Sequence, residues 1–223
     1  MKDQEVILFF IKEPLKGQVK SRLAAVLGES IAIDLYRNFV LDTLGTIVQT
    51  AKPYRICVHP PDAIPAVAAW LGHQHQFMPQ EGRDLGERME RAFEQIFADG
   101  YDRAILIGSD IPDLPSTLFS ETFEALKESD AVIGPASDGG YYLIGFRKEA
   151  FVAEVFHDMP WSTSVVQEQT RRIFRQTGHN VHYLPLWSDV DTVDDLRALV
   201  ERNTSTAFAS ARTMRYIGDI ITR

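Results

Sequence analysis

Short runs of consecutive apolar residues recur along this chain, each followed by a stretch with helical spacing, and this alternation most limits what the chain can fold into. Residues 6–11 (VILFFI) form the first run. A segment that is apolar at every position, rather than at every second one, is expected of a strand covered on both faces. Residues 55–59, 76–79, 104–107, 131–134 and 141–146 read as further strands, and residues 181–186 alternate well enough for one more. Between them, Leu23, Val26 and Leu27 share a helical face, Gly28 interrupts, and Ile31, Leu35, Phe39, Thr43 and Ile47 continue the spacing until Pro53. Helices are also expected over 63–71, 87–98, 116–127, 164–177 and 193–202. Ser164 with Gln167 and Thr192 with Asp195 are capping-box candidates for the last two. Strands alternating with helices of about 10–15 residues indicate βαβ units and a mostly parallel sheet in an α/β fold.

No internal repeat, low-complexity segment or linker divides residues 1–202, which are therefore expected to form one domain. In residues 203–223, Phe208, Ala211, Met214 and Ile217 or Ile221 recur at roughly helical spacing. That tail is expected to be an amphipathic helix docked on this chain or on a second subunit, the latter giving a homodimer.

The formal net charge of −8 argues against general nucleic-acid binding, which needs a basic surface to neutralise phosphates. It leaves room for a small phosphorylated ligand held by a few local cations. The single cysteine, Cys57, excludes an intrachain disulfide and a multi-cysteine zinc site, and within its apolar run it reads as a small buried hydrophobe. The six histidines form no ligand pattern. Met1 is followed by Lys2-Asp3-Gln4-Glu5 and only a short apolar run, so no secretory leader is expected. Nor does any stretch approach the roughly 18 apolar residues of a membrane span. A cytoplasmic protein is the expectation.

Four constellations carry chemistry. Lys12, Lys16, Lys20 and Arg22 place four cations within eleven residues, just after the first strand and running into a helix start. Such a loop suits a phosphate-rich ligand, although the same residues would also serve as a solvated basic loop. It has neither Walker nor G-x-G-x-x-G spacing. Asp110 follows the strand at 104–107 through Gly108-Ser109, where ligands of open α/β sheets bind. One carboxylate there suits magnesium, which keeps waters and substrate phosphates as its other ligands. An Asx turn before Pro112 is the alternative. Asp113 is three residues on, which is not D-x-D spacing, and a turn or cap is expected of it. Asp138-Gly139-Gly140-Tyr141 turns the chain sharply or lets backbone approach a ligand. Finally, Asp189, Asp191, Asp194 and Asp195 are too many acids for helix-dipole complementarity alone. Asp189 or Asp191 would complete a metal site with Asp110, and the others would cap.

Taken in order, several strings resemble the DUF2064 family of the nucleotide-diphospho-sugar transferase superfamily. They are Lys12-x-Pro14-x-x-Gly17-x-Val19-Lys20-Ser21-Arg22-Leu23, Asp84-Leu85-Gly86-Glu87-Arg88, Gly108-Ser109-Asp110-x-Pro112-x-Leu114, Gly134-Pro135-x-x-Asp138-Gly139-Gly140-Tyr141-Tyr142, Trp161-Ser162-Thr163 and Asp189-x-Asp191-Thr192-x-x-Asp195-Leu196. The resemblance covers about residues 5–200. Ser21 stands where the family usually has threonine, which keeps the hydroxyl. The first and last strings also resemble nucleotidylyltransferases such as phospholactate guanylyltransferases and molybdopterin cytidylyltransferases.

The resemblance implies a GT-A-like, Rossmann-like three-layer sandwich with a mostly parallel mixed sheet. It implies a transferase acting on a nucleotide sugar, or alternatively on a nucleoside triphosphate with release of pyrophosphate. A catalytically silent nucleotide-binding protein on the same fold is the third reading. The absence of D-x-D departs from classical glycosyltransferases and moves weight toward nucleotidylyl transfer. The implied nucleotide contacts are Lys12, Gly17, Lys20, Ser21, Arg22, Gly86 and Arg88. Lys12, Lys20 and Arg22 would neutralise the leaving group, while Asp110 and Asp191 would hold Mg2+ or Mn2+. Asp138, Gly139, Gly140, Tyr141 and Trp161 would line the side of a small-molecule acceptor, with Asp138 as candidate base.

Overall fold

The structure, a computed structural model, describes residues 4–221. The charged start at Met1, Lys2 and Asp3 and the last two residues of the expected tail helix lie outside it.

Strand β1 (Glu5–Lys12) lies in the interior of the sheet, and its residues from Val6 to Ile11 are all buried. It pairs in parallel with β2 (Tyr54–His59) on one side and β4 (Arg103–Ile107) on the other. Strand β3 (Phe77–Pro79) extends the β2 side. Beyond β4 lies β6 (Tyr141–Arg147), antiparallel to both β4 and β5 (Ala131–Pro135), and then β7 (Val181–Tyr183) parallel to β5. The order is β3-β2-β1-β4-β6-β5-β7, a mixed and mostly parallel sheet.

Because successive side chains on β1 point to opposite faces, its continuous apolar run feeds two cores. Ile7, Phe9 and Ile11 join residues of α2 (Glu29–Gln49), α3 (Ile64–Leu71) and α5 (Ser116–Glu128). Val6, Leu8 and Phe10 join α4 (Leu85–Ala98) and Phe174 of α6 (Val166–Thr177). Each fully buried Phe, Leu or Ile contributes roughly 1.5–3 kcal/mol relative to exposure. A third cluster lies behind α2, where Ala32, Leu35 and Phe39 meet Leu23 of α1 (Ser21–Leu27), Leu196 and Leu199 of α7 (Val193–Arg202), and Ile217 of α8 (Arg212–Ile221). Helix α2 is thus covered from two sides. Asp42 on it accepts hydrogen bonds from the first amides of α8, Arg212 N at 3.1 Å and Thr213 N at 2.8 Å.

Two local expectations are revised. Strand β7 stops at Tyr183 rather than continuing to 186: Leu184 N donates to Ile133 O at 2.9 Å, but the next amide donated to β5 is that of Trp187, to Pro135 O at 3.1 Å, one residue out of the ladder's alternation. Farther on, Trp187 bridges Ala136. Ser164 does not cap α6, because the Gln167 amide is donated to the Gly139 carbonyl at 2.9 Å. Thr192 and Asp195, by contrast, form the full capping box of α7. Asp113 lies in the turn expected of it and caps no helix, but its carboxylate has a further role. Its buried carboxylate accepts from Arg202 Nε (2.7 Å) and Nη2 (2.9 Å), Asn203 Nδ2 (2.7 Å) and Trp187 Nε1 (3.1 Å). This clamp fastens the end of α7 to the loop after β4.

Replacing Asp113 by Ala leaves the Arg202, Asn203 and Trp187 donors without their acceptor. Loss of one partner from a buried charged pair costs several kcal/mol, and Arg202 keeps some contact with water. Asp113→Ala is expected to lower unfolding free energy by about 3 kcal/mol in urea titrations, and an unchanged midpoint would refute the clamp's importance.

Candidate active site

Parallel strands end on the same edge of a sheet, so β1 and β4 deliver Lys12 and the Gly108-Ser109-Asp110 loop side by side. From β1 the chain runs to β2 and β3 on one side and then returns to β4 on the other, which makes this a topological switch point. The antiparallel β5–β6 hairpin turns at Asp138 on that same edge. A cavity of about 750 Å³ opens there.

The two loops are joined beneath the cavity by Tyr36 of α2. Its hydroxyl accepts from Lys12 N (2.7 Å) and from Ser109 Oγ (3.4 Å), and donates to Lys12 O (3.2 Å). Burial, which penalises the phenolate, raises its pKa. On the loop's far side the Gly17 amide donates to Glu29 Oε2 at 3.2 Å. The loop closes on Lys20, which occupies the N-cap position of α1 in a left-handed conformation (φ 48°, ψ 46°).

Lys20 Nζ lies 2.5 Å from Asp110 Oδ1 and 2.9 Å from Asp191 Oδ1, with its side chain only 2% exposed. Burial disfavours the ammonium, but the two carboxylates outweigh it and hold the lysine pKa above its ordinary value. Asp191 reaches Asp110 through two fixed contacts. The Val190 amide donates to the Asp110 carbonyl at 2.9 Å, and the Asp191 amide donates to Asp195 Oδ2 of the α7 cap at 3.1 Å. Asp189 lines the same cavity. Burial, followed by the charges of Asp138 and Asp191, pushes its carboxyl up to about 6.

The opposite wall is largely apolar, with Phe10, Leu106, Leu85 and Met89 beside Tyr141 and Trp161. Tyr141 and Trp161 meet edge to face at 6.3 Å, and the buried Tyr141 hydroxyl has no hydrogen-bond partner among the described residues. Asp138 Oδ1 accepts from Gly140 N at 2.8 Å, an Asx turn that fixes the hairpin tip.

Of the residues singled out from sequence, Lys12, Lys20, Ser21, Arg22, Asp110, Asp138, Gly140, Tyr141, Trp161 and Asp191 line one cavity. Gly17, Gly86, Arg88 and Gly139 do not line it. Gly86 is buried at the start of α4, where a Cβ would stand 2.2 Å from Phe156 O and 2.9 Å from the Trp161 ring. Gly139, at φ +89°, is pressed on the Ser164 backbone. Arg88 Nε donates to Gly82 O at 3.3 Å. Sequence reading missed Tyr36, Ser109 and Gln80. Gln80 is buried at the cavity floor, donating to Ile11 O (3.0 Å) and Cys57 O (2.7 Å). Such long-range hydrogen bonds leave no local pattern.

Among the described residues no group of three His, Cys, Asp or Glu side chains gathers as a metal site by itself. The carboxylates of Asp110 and Asp191 nevertheless converge on one cation, the Lys20 ammonium. Two hard oxygen donors at a cavity wall fit an ion that takes its other ligands from water and phosphate. No helix among the described residues is long and apolar enough to cross a membrane.

Residues 44–163 match the model of DUF2064, described as an uncharacterized protein conserved in bacteria. A solved structure from Desulfovibrio desulfuricans G20, described as a "putative nucleotide-diphospho-sugar transferase", is 44% identical and superposes with a TM-score of 0.95, covering 98% of this chain and 95% of that one. The 2-phospho-L-lactate guanylyltransferase of Methanothermobacter thermautotrophicus is 27% identical over 182 residues, 81% of this chain and 78% of its own. Rv0371c of Mycobacterium tuberculosis H37Rv, solved with manganese, shares the fold at 15% identity and a TM-score of 0.51, covering 89% of this chain and 98% of that one.

The raised Asp189 pKa has a measurable sign. Below about pH 4 the group is protonated in folded and unfolded chains alike, whereas above about pH 6 the folded chain carries its buried charge. The contribution of Asp189 to stability is therefore present at low pH and lost as pH rises from about 4 to 6. Discounted for its partial exposure, the loss is about 1 kcal/mol. With a chelator present, Asp189→Asn is expected to gain that much on wild type between pH 4 and pH 7 in urea titrations. Parallel pH profiles for the two proteins would contradict the assignment.

Proposed function

The chain belongs to the DUF2064 family, and on that premise we propose that it is a metal-dependent transferase acting on an activated nucleotide, most directly a nucleotide sugar. The observation that carries this reading is the meeting of Lys12, Lys20 and Arg22 with Asp110 and Asp191 in one cavity at the switch point of the sheet. The 44% identical relative supports sugar transfer, over nearly the whole of both chains. Residues 1–202 would form the transferase domain, with the tail docked on it.

Lys12, Lys20 and Arg22 bind the polyphosphate and neutralise the charge that grows on it as it leaves. Asp110 and Asp191 hold the Mg2+ or Mn2+, which supplies Lewis-acid stabilisation to phosphate oxygens. The apolar wall of Phe10, Leu85 and Met89 excludes water from the other end of the nucleotide. Asp138 stands where it would orient a small acceptor's hydroxyl and take its proton, with Gly140, Tyr141 and Trp161 as the acceptor wall. Gly86 and Gly139 serve this wall by letting α4 and the α6 start pack against it.

A second reading, nucleotidylyl transfer, is favoured by one feature of the site. Its two carboxylates come from separate segments rather than from a D-x-D string, and the guanylyltransferase relative spans most of the chain. In this version the acceptor's anionic oxygen displaces pyrophosphate from a nucleoside triphosphate.

The readings differ in what leaves. Incubation with Mg2+ or Mn2+, a panel of nucleotide sugars and triphosphates, and candidate acceptors is expected to release a nucleoside diphosphate. Pyrophosphate alone would replace the first reading by the second. Nucleotide binding with no turnover of any panel member would leave a binding protein. Asp110→Ala is expected to lower turnover by roughly 100-fold, and undiminished turnover would remove Asp110 from the mechanism.

A further inference from the structure

Lys20 is held in a way that a simple phosphate-binding lysine does not need. Its backbone adopts a left-handed conformation that costs a non-glycine residue on the order of 1 kcal/mol. Its stem passes the Phe39 ring, with Nζ 5.5 Å from the centroid. Its ammonium reaches the single point on which Asp110 and Asp191 converge, at 2.5 and 2.9 Å. The two carboxylates remain open to the cavity, their side chains 52% and 38% exposed, while the lysine is nearly sealed. A divalent cation approaching from the cavity therefore meets a carboxylate pair whose charge the ammonium has already halved, and it cannot share that point with an ammonium because like charges at this range repel.

We propose that Lys20 is a resident counter-ion that keeps the Asp110–Asp191 site closed to divalent cations, and that an incoming polyphosphate opens it by drawing the ammonium away. The inference rests on the reading of Asp110 and Asp191 as the metal carboxylates. Lys12 and Arg22 line the same cavity and give the polyphosphate its first hold, so the lysine can exchange two carboxylates for phosphate oxygens without becoming unpaired. A cation then enters a site whose internal neutraliser has gone. Metal and nucleotide consequently bind with positive coupling, and without ligand the lysine offsets one of the two carboxylate charges.

The test reads Mn2+ alone, by the electron paramagnetic resonance signal of the free ion, on the full chain without nucleotide. Lys20→Met and Lys20→Gln each remove the ammonium and keep much of the stem, and circular dichroism checks that each is folded. Using two variants keeps a packing defect in one from deciding the result. Each is expected to bind Mn2+ about tenfold or more tightly than wild type, the factor equivalent to one pKa unit of competition. Adding Asp110→Asn to either variant is expected to abolish the gain. If the variants bind Mn2+ with wild-type affinity, the counter-ion role is overturned while the metal carboxylates stand. If neither wild type nor variants bind Mn2+, the metal reading falls and this inference with it. A gain that persists in the double variants would place the ion elsewhere and overturn the inference too.

Discussion

The rest of the structure depends on a strand with no solvent-facing side. Six consecutive residues of β1 are buried, alternating between two cores, so helices must cover both faces of the sheet. Strands buried in this way favour parallel neighbours joined by crossover helices. Parallel neighbours in turn bring their carboxyl ends to one edge. The cavity is thus a consequence of where apolar residues fall in the first dozen positions, and its chemistry comes from the polar residues at the strand ends. Lys12 closes β1, Asp110 stands just beyond β4, and the Asp138 turn precedes β6.

Much of this was legible in the sequence because its signals are local. An uninterrupted apolar run marks a doubly covered strand, Gly28 separates α1 from α2, and Thr192 with Asp195 marks the start of α7. The basic loop and the aspartates at 110 and 191 were legible as chemistry because charged residues stand immediately after or before regular elements. What was not legible depended on partners far away in the chain. Asp113 reads as a turn residue, which it is, but the clamp that Trp187, Arg202 and Asn203 close around it has no local signal. Ser164 looks like a cap until the hairpin tip takes the amide of Gln167. Tyr36 lies inside a helix whose spacing advertises core packing, and only folding reveals its hydroxyl holding two loops together. Gly86 and Gly139 were legible as special positions. That their small size serves packing rather than ligand contact depends on neighbours supplied by other segments.

Electrostatically the site is a local exception within a chain of net charge −8. Its cations are divided between exposure and burial. Lys12 and Arg22 are exposed, whereas Lys20 is sealed against two carboxylates. Asp189 adds a third acid on the same side and is pushed toward its neutral form by burial and by its neighbours. The cleft therefore offsets part of its acid charge with Lys20, while Asp189 still feels the repulsion of Asp138 and Asp191.

The reversed direction of β6 has a further consequence. Because β5 and β6 are joined by a tight hairpin, Asp138, Gly140 and Tyr141 come from one short stretch of chain, and Trp161 joins them from the segment before α6. The side carrying Lys12, Lys20, Asp110 and Asp191 is instead assembled from three distant segments locked by Tyr36, Val190 and the α7 cap. The two halves of the cleft are unequally free to diverge. A handful of substitutions at the hairpin tip can reshape that part of the wall and leave the other side intact, whereas a change on the side of Lys20, Asp110 and Asp191 disturbs segments that must remain in register with one another. A single scaffold of this construction can thus vary the hairpin tip while keeping the charged side of its cleft unchanged.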